Sequence, residues 1–177
     1  MAICNITRGI DGGACKNTVA GFKAIYVANY EDYEFTTVSD VEGHLLTGLP
    51  TDFETFKFPL KNTGNNYNEP STSSRDAGTT VFSGTFNMVL TNIKALKTFQ
   101  IKNMVWGRPI VFAEMENGEI LAIGLKRGVE FNSTTNVEGA LDGVNAYQLV
   151  GVSQEAEPAY FLDSATAIAL KASVSNV

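Results

Sequence analysis

Residues 81–128 read VFSGTFNMVLTNIKALKTFQIKNMVWGRPIVFAEMENGEILAIGLKRG, and this stretch decides the predicted fold class of the chain. Its first ten residues alternate between apolar and polar side chains, which is the pattern of a β-strand with one buried face. The apolar face carries Phe82, Phe86, Met88 and Leu90, with Gly84 as a gap in the row.

The next segment, from Ile93 to about Trp106, is predicted to be a helix. Either Thr91 or Asn92 can cap it, because both side chains can accept a hydrogen bond from a free amide of the first turn. The helix is expected to end at Gly107-Arg108-Pro109, since glycine permits a left-handed cap and proline cannot continue a helix.

Two strands and a tight turn complete the stretch. Residues 109–115 are apolar enough for a strand that is buried on both faces. Asn117-Gly118 is the strongest short signal for a β-hairpin, so residues 120–125 are expected to return as the partner strand. We therefore predict one helix in an otherwise β chain.

The remaining strands and the domain limits follow from the same patterns. Strands are predicted at residues 21–28, about 33–38, 44–49, 53–58, 145–152 and 160–162. Strands at this spacing with one helix indicate a β-sandwich or small barrel. Residues 1–20 are interpreted as an N-terminal arm, 21–162 as a single domain and 163–177 as a C-terminal tail, in which Asp163 or Ser164 could cap a short helix.

Residues 61–80 are the most loop-like part of the chain, rich in Asn, Ser, Thr and Gly. A long loop without structure is uncommon in a compact domain. We expect instead one long hairpin, with arms at 53–68 and 79–90, that protrudes beyond the core. Its tip is expected to be ordered only by a neighbouring molecule, and its candidate contact residues are Pro70, Ser71, Thr72, Ser73, Ser74, Arg75 and Asp76.

The predicted helix has apolar residues on two sides. Ile93, Ile101 and Met104 lie on one side of a helical wheel, and the roughly opposite side carries Ala95, Leu96, Phe99 and Trp106. One apolar stripe is enough to dock a helix on a sheet. The helix is therefore either sunk between two parts of one domain or packed on its own sheet while Leu96, Phe99 and Trp106 contact another subunit, and we favour the second interpretation.

Composition and charge exclude several classes of protein. The 177 residues are 44% hydrophobic, which is enough for one real core. A net charge of -6 argues against tight binding of nucleic acid, which needs basic patches. No run approaches the roughly 20 apolar residues of a membrane span, and residues 1–11 lack the basic start and apolar core of a secretory signal.

Seven acids without a Lys or Arg between them make residues 31–54 the most acidic region: Glu31, Asp32, Glu34, Asp40, Glu42, Asp52 and Glu54. This region is either a solvated face or a surface that repels phosphates.

We find no residue pattern that predicts catalysis, a metal site or a cofactor. His44 is the only histidine and has no Ser or Cys motif beside it. Paired carboxylates occur only in turn-like segments, and the acidic region lacks the regular spacing of a calcium loop. Cys4 and Cys15 are either two unpaired thiols or a local disulfide. The sequence therefore predicts a protein that is not an enzyme.

The order and spacing of several segments resemble the major tail tube proteins of bacteriophages, especially those of phages and prophages of Bacteroidetes-like hosts. The similarity is spread along most of the chain, and its segments are Cys4–Cys15, 21–30, 56–64, 78–82, 87–90 with the helix, 107–112 with Asn117-Gly118, and 140–149 running on to 157–159. This chain departs from the family at the helix start, which reads Lys94-Ala95-Leu96-Lys97 where the family usually has acids.

The resemblance implies a β-sandwich or barrel of tail-tube type with one flanking helix and a long protruding hairpin. Six copies are expected to form a ring, and rings to stack into a hollow tube through which genomic DNA passes without specific binding. The N-terminal arm and the hairpin are expected to reach the next ring. The implied partners are the chain itself and the tape measure, terminator and baseplate proteins of a virion, with no membrane; assembly takes place in the bacterial cytoplasm.

Three alternatives stay open on sequence grounds. A capsid decoration or head–tail connector protein shares the structural role but not the stacking. The inner tube of a contractile injection system shares the tube. A carbohydrate-binding sandwich requires an exposed aromatic row, for which Tyr26, Tyr30 and Tyr33 are the candidates.

Overall fold

The computed structural model describes residues 6, 9, 19–31, 33–40, 43–61 and 64–175, and this part of the chain is mainly β. Its elements in chain order are β1 (Phe22–Ala28), β2 (Thr36–Asp40), β3 (Gly43–Gly48), β4 (Phe56–Pro59), β5 (Asn66–Asn68), β6 (Ser71–Ser74), β7 (Thr79–Thr91), α1 (Ala95–Trp106), β8 (Ile110–Met115), β9 (Ile120–Ile123), β10 (Glu130–Val137), β11 (Asn145–Glu155), β12 (Tyr160–Leu162) and α2 (Ser164–Ala172). Most of the predicted N-terminal arm, including the two cysteines and their possible disulfide, lies outside the described residues.

The larger sheet has seven strands in the order β2-β3-β12-β9-β8-β1-β4. All neighbours are antiparallel except β12 and β3, which are parallel. The central strand β8 is buried on both faces, as the sequence predicts, and the Asn117-Gly118 turn joins it to β9 with Gly118 at a φ of 92°.

The smaller sheet has the order β10-β11-β7-β5, and β6 pairs with β7 beyond β5. Burial along β7 alternates, with Gly84, Phe86, Met88 and Leu90 buried, so the predicted apolar face is confirmed. β10 is an edge strand that pairs with β11 over its whole length.

The two sheets pack face to face around one apolar core. Ile25, Val27 and Val111 of the larger sheet meet residues of the smaller sheet, among them Phe86, Met88 and Leu149. A second apolar cluster lies behind the larger sheet, where Phe112 and Leu46 pack with Leu170 of α2. The chain is therefore layered as smaller sheet, larger sheet and α2, while α1 packs beside β10.

A buried charged residue, Glu114 of β8, lies on the side of the larger sheet that faces α2. Its carboxylate accepts a hydrogen bond from the Tyr26 hydroxyl at 2.8 Å and lies 2.8 Å from the Lys171 ammonium of α2. Burial and then the hydrogen bond to Glu114 raise the pKa of Tyr26. α2 therefore contributes the cation for a carboxylate that the larger sheet holds out of water.

The start of α1 differs from the prediction. Asn92 has a φ of 67°, whereas an N-cap residue needs extended backbone. Lys94 occupies the N-cap with a φ of -143° and no side-chain cap hydrogen bond. Instead, the Asn145 side chain of β11 accepts a hydrogen bond from the Ile93 amide, at 3.2 Å. The predicted capping by Thr91 or Asn92 is therefore wrong, and the helix begins two residues later than expected.

Two further expectations about helices need correction. Gly107 ends α1 as predicted, but its φ of -92° is not left-handed. The chain also has a second helix within the described residues, so the prediction of one helix is wrong. This second helix, α2, is the short helix that the sequence allowed after Asp163. The Asp163 side chain caps it by accepting a hydrogen bond from the Thr166 amide at 2.8 Å.

The protruding hairpin is formed by different arms from those predicted. β6 pairs with the first residues of β7, and β5 pairs with β7 at residues 85–87. β4 belongs to the larger sheet, where it pairs with β1. Residues 53–58 are therefore not a hairpin arm, because β4, which contains Phe56 and Phe58, is the edge strand of the larger sheet beside β1.

Candidate assembly surfaces

The outward face of α1 is apolar and uncovered. Ile101 and Met104 lie in the core, whereas Leu96, Phe99 and Trp106 are 62%, 54% and 76% exposed. The two sides predicted from the helical wheel are thus present, one buried and one open to solvent. Apolar side chains clustered on one helix face are typical of a contact surface rather than of a solvated helix.

Cations surround this apolar face. The Lys102 ammonium lies 4.1 Å from the centre of the Trp106 ring and 6.0 Å from that of Phe99. Residues 94–108 contain three lysines and one arginine and no acid. Arg108 stacks over Tyr30, and Lys97 donates to the Thr91 carbonyl, so the free cations of the face are Lys94 and Lys102.

The hairpin β6–β7 carries the other predicted contact residues. Residues 70–81 are all exposed, and the turn at 75–78 closes the hairpin with Gly78 at a φ of 63°. The hairpin lies at one end of β7, and α1 follows the other end. Because β7 has 13 residues, these two predicted contact surfaces are about 40 Å apart along the strand. They cannot contact one molecule at the same point.

Both edges of the smaller sheet are open. Within the described residues, no strand pairs with the outer edge of β10 or with the outer edges of β5 and β6. Neighbouring strands across this sheet are antiparallel throughout. Open edges are templates for further strand pairing.

The solvent face of the smaller sheet is polar but nearly uncharged. The strand register places Asn132, Val150, Asn87 and Asn66 in one row, and the rows on either side contain mainly Thr, Gln, Asn and Val. In the described strands the charged residue of this face is Glu130, which is exposed and shares a row with Val152, Thr85 and Asn68.

The acidic region folds into a compact patch. Tyr33, Phe35 and Phe53 pack edge to face with ring centres 5.2–5.9 Å apart. This contact joins two loops whose acids Glu31, Glu34, Asp52 and Glu54 are all exposed. Burial raises the pKa of Tyr33, and the negative charges of Glu31 and Glu54 raise it further, which indicates that both acids lie near the ring.

A cleft of about 660 Å³ lies where the base of the hairpin meets the end of β11. Its acids are engaged in structural contacts. Glu155 accepts from the amides of Lys126 and Arg127, and Glu69 accepts from the Tyr67 hydroxyl and the Ala159 amide. Burial, followed by the hydrogen bond to Glu69, raises the pKa of Tyr67. These groups fasten loops, and Glu157, the third acid of the cleft, accepts from the Tyr160 hydroxyl.

His44 has a structural environment. Its ring stacks on Tyr160 with centres 3.6 Å apart, and Nε2 lies 2.9 Å from the Pro158 carbonyl. Since a carbonyl only accepts, Nε2 carries the proton, and Nδ1 of the neutral ring then accepts from the Ser39 hydroxyl at 3.0 Å. The ring joins β3 to the turn before β12, which agrees with its interpretation as structural.

Other kinds of site find little support in the described part of the chain. It contains no cluster of three or more His, Cys, Asp or Glu side chains arranged for a metal ion. Of the three tyrosines considered for carbohydrate, Tyr26 is only 1% exposed and points into the second cluster, so no exposed aromatic row exists there. Neither described helix has the length and apolarity to cross a lipid bilayer.

Searches of protein-family models, curated proteins and solved structures each give no match to this chain. The arguments about function therefore depend on the geometry above.

Sequence reasoning identified the open face of α1 and the hairpin, but it missed three features. The open edges depend on strand order, the compact acidic patch depends on the packing of Tyr33 on Phe53, and the isolated charge of Glu130 depends on register. Two sequence signals bear on these surfaces: the absence of acids between residues 94 and 108, and the concentration of acids in residues 31–54.

Proposed function

We propose that this protein is a structural subunit of a hollow tube, built from stacked rings of identical copies, and that the tube conducts DNA as a bacteriophage tail tube does. The observation that carries the proposal is the smaller sheet, whose strand directions alternate and whose two edges carry no further strand in the part of the chain that the structure describes. The number of copies in a ring and the virion context come from the sequence resemblance.

Strand direction supports head-to-tail assembly. Across the sheet, β10 and β7 run one way, while β11 and the β5–β6 edge run the other. If copies follow one another by rotation, β10 of one copy meets the β5–β6 edge of the next in antiparallel orientation. The alternation then continues without a break, and a ring closed in this way removes every open edge of this sheet.

The size of the resulting barrel fits its proposed cargo. Four strand positions per copy give roughly 24 strands in a ring of six, and at ~4.8 Å per strand the circumference is about 115 Å and the backbone diameter about 37 Å. Lumen side chains reduce this width by about 10 Å, and barrels of roughly 16–18 strands already enclose an aqueous channel. The remaining bore accommodates a DNA duplex.

The solvent face of the smaller sheet would line that bore. It carries no Lys or Arg in the described strands, so it offers no ion pair to a phosphate. Its single acid, Glu130, would repeat as one ring of carboxylates in each annulus. This face supports a mostly neutral lumen, in which hydroxyls and amides let DNA slide.

Electron microscopy of the purified protein tests the proposal. We expect rings or tubes in negative stain and a very large species in light scattering. A protein that stays strictly monomeric at high concentration contradicts the proposal. Trimers, or rings that never stack, favour the decoration or connector alternative instead.

A hairpin deletion separates ring formation from stacking. Ser71 and Phe82 face each other across the hairpin, so residues 72–81 can be replaced by Asn-Gly, which closes a two-residue turn. If the hairpin reaches the next ring, this variant forms rings that do not stack. The matched control changes Arg75 and Asp76 to Ala and keeps the hairpin; tubes of normal length from the deletion variant would rule out a stacking role.

A further inference from the structure

The open face of α1 differs from the rest of the molecule in charge. Residues 94–108 carry four cations and no acid, whereas the whole chain has 13 cations and 19 acids, so the remainder has 9 cations against 19 acids, a net charge of -10. A basic surface on so acidic a chain is suited to an acidic partner, because complementary charge favours encounter and disfavours wrong contacts.

The same face has the composition of a binding hot spot. Trp106, Phe99 and Leu96 are exposed together, and the Lys102 side chain lies across the Trp106 ring. Aromatic side chains bordered by cations dominate the energy of many interfaces. The partner therefore presents carboxylates around an apolar or aromatic centre.

This chain has such a surface elsewhere. The acidic patch consists of the exposed side chains of Glu31, Glu34, Asp52 and Glu54. These acids lie within two residues of Tyr33 or Phe53, whose rings pack on each other. α1 packs on the core between the two sheets, whereas Phe35 and Phe53 beneath the patch belong to the cluster behind the larger sheet. The two surfaces lie on different layers of one molecule. Arg108 stacks over Tyr30 beside the patch within one copy, whereas Lys94 and Lys102 form no ion pair with the patch among the described residues.

We propose that the basic, apolar face of α1 docks on the acidic patch of a second copy of this chain. The contact is heterologous, because it joins two different surfaces, and it repeats around a ring when the rotation closes. The inference deepens the proposed self-assembly and depends on it. It assigns the lateral neighbour of α1, a contact separate from the pairing of β10 with β5–β6.

Charge reversal with mixing tests the contact. Variant A carries Lys94→Glu and Lys102→Glu, and variant B carries Glu34→Lys and Glu54→Lys. In A alone the helix face carries two acids against two cations and no longer complements the acidic patch, and in B alone the patch carries two cations against two acids and no longer complements the basic helix, so each is expected to lose self-association by at least about tenfold. In an equal mixture the unchanged helix of B meets the unchanged patch of A, and the new acids of A meet the new cations of B, so assembly returns with strict alternation of the two.

Controls keep the outcomes distinct. Glu116→Lys with Glu119→Lys makes the same charge change as variant B at the exposed β8–β9 turn and is expected to assemble normally. Thermal melting of dilute A and B by circular dichroism checks that both fold. Sedimentation velocity of the wild type at low and high salt is expected to show weaker association at high salt.

The results separate this inference from the proposed function. A wild type that never self-associates overturns the proposed function. A wild type that assembles while A and B assemble equally well, or while A and B fail and their mixture also fails, overturns the α1 contact and leaves the proposed function standing.

Discussion

Replacing Lys171 with methionine removes the cation that lies 2.8 Å from the buried carboxylate of Glu114. Removing one partner of a fully buried pair costs about 3–5 kcal/mol, because the other charge is left without compensation. The Lys171 side chain is 43% exposed, so water already screens part of the attraction. We therefore expect the free energy of unfolding to fall by about 2 kcal/mol, which corresponds to roughly 4–8 °C in Tm for a chain of this size.

The effect must depend on pH. Burial raises the pKa of Glu114, but the hydrogen bonds from Lys171 and Tyr26, with attraction to Lys171 and Lys23, outweigh it, so the pKa lies below its ordinary value of 4.5. A carboxyl group with a lowered pKa in the folded state stabilises the fold above its unfolded pKa, and this stabilisation is lost as the pH falls through the folded pKa. The difference between wild type and Lys171→Met is thus complete at neutral pH and shrinks in acid.

Urea unfolding followed by far-ultraviolet circular dichroism measures this difference, at about pH 7 and again at an acidic pH below the lowered pKa of Glu114, where the difference is expected to shrink. Glu114→Gln and the double variant Glu114→Gln/Lys171→Met complete a cycle that isolates the interaction between the two side chains. A loss below about 0.5 kcal/mol at neutral pH, or an equal loss at both pH values, would refute the reasoning.

Three further predictions concern single residues. Gly84→Ala places a Cβ 2.5 Å from the Tyr67 hydroxyl, so we expect urea unfolding to show a loss of about 1–3 kcal/mol from overpacking. Asp163→Ala removes the acceptor of the Thr166 amide and should cost about 1 kcal/mol at neutral pH; the loss should vanish in acid, since the hydrogen bonds from Thr166 lower the pKa of Asp163 below its ordinary 3.8. Trp106→Ala should change the stability of the dilute monomer by less than about 0.5 kcal/mol, because the ring is exposed, and it should reduce light scattering from assemblies.

The elements that depend on local signals were predicted well. Alternation along β7 gave the buried face that holds Phe86 and Met88, and Asn117-Gly118 gave the β8–β9 hairpin. Both signals are contained in a few neighbouring residues, so tertiary structure had little opportunity to override them. The prediction that α1 has apolar residues on two sides was also correct, because helical periodicity alone places Ile101 and Phe99 on different sides of the helix.

The wrong predictions concern features that depend on contacts between residues far apart in the sequence. Asn145 accepts a hydrogen bond from the Ile93 amide across 52 positions of sequence, and with this contact the N-cap of α1 is Lys94. The arms of the hairpin were misplaced because β4 finds its partner in β1, more than 25 residues earlier. Pairings over such separations leave no periodic trace in the sequence.

For the candidate surfaces too, local signals were readable in the sequence and long-range contacts were not. Exposure of Leu96 and Trp106 follows from the helical wheel, whereas the grouping of Glu31 with Glu54 needs the contact between Tyr33 and Phe53. The lumen role proposed for Glu130 requires the register of β10 against β11, which fixes the side of the sheet on which every residue lies.

The position of β12 has a consequence for synthesis on the ribosome. This short strand lies between β3 and β9, so β3 gains its place in the larger sheet only after Leu162 has been made, 114 residues after Gly48. At roughly 5–20 residues per second, the β2–β3 pair waits about 6–23 s for the strand that joins it to the sheet. A nascent or truncated chain that lacks β12 therefore lacks the finished sheet beneath its acidic patch.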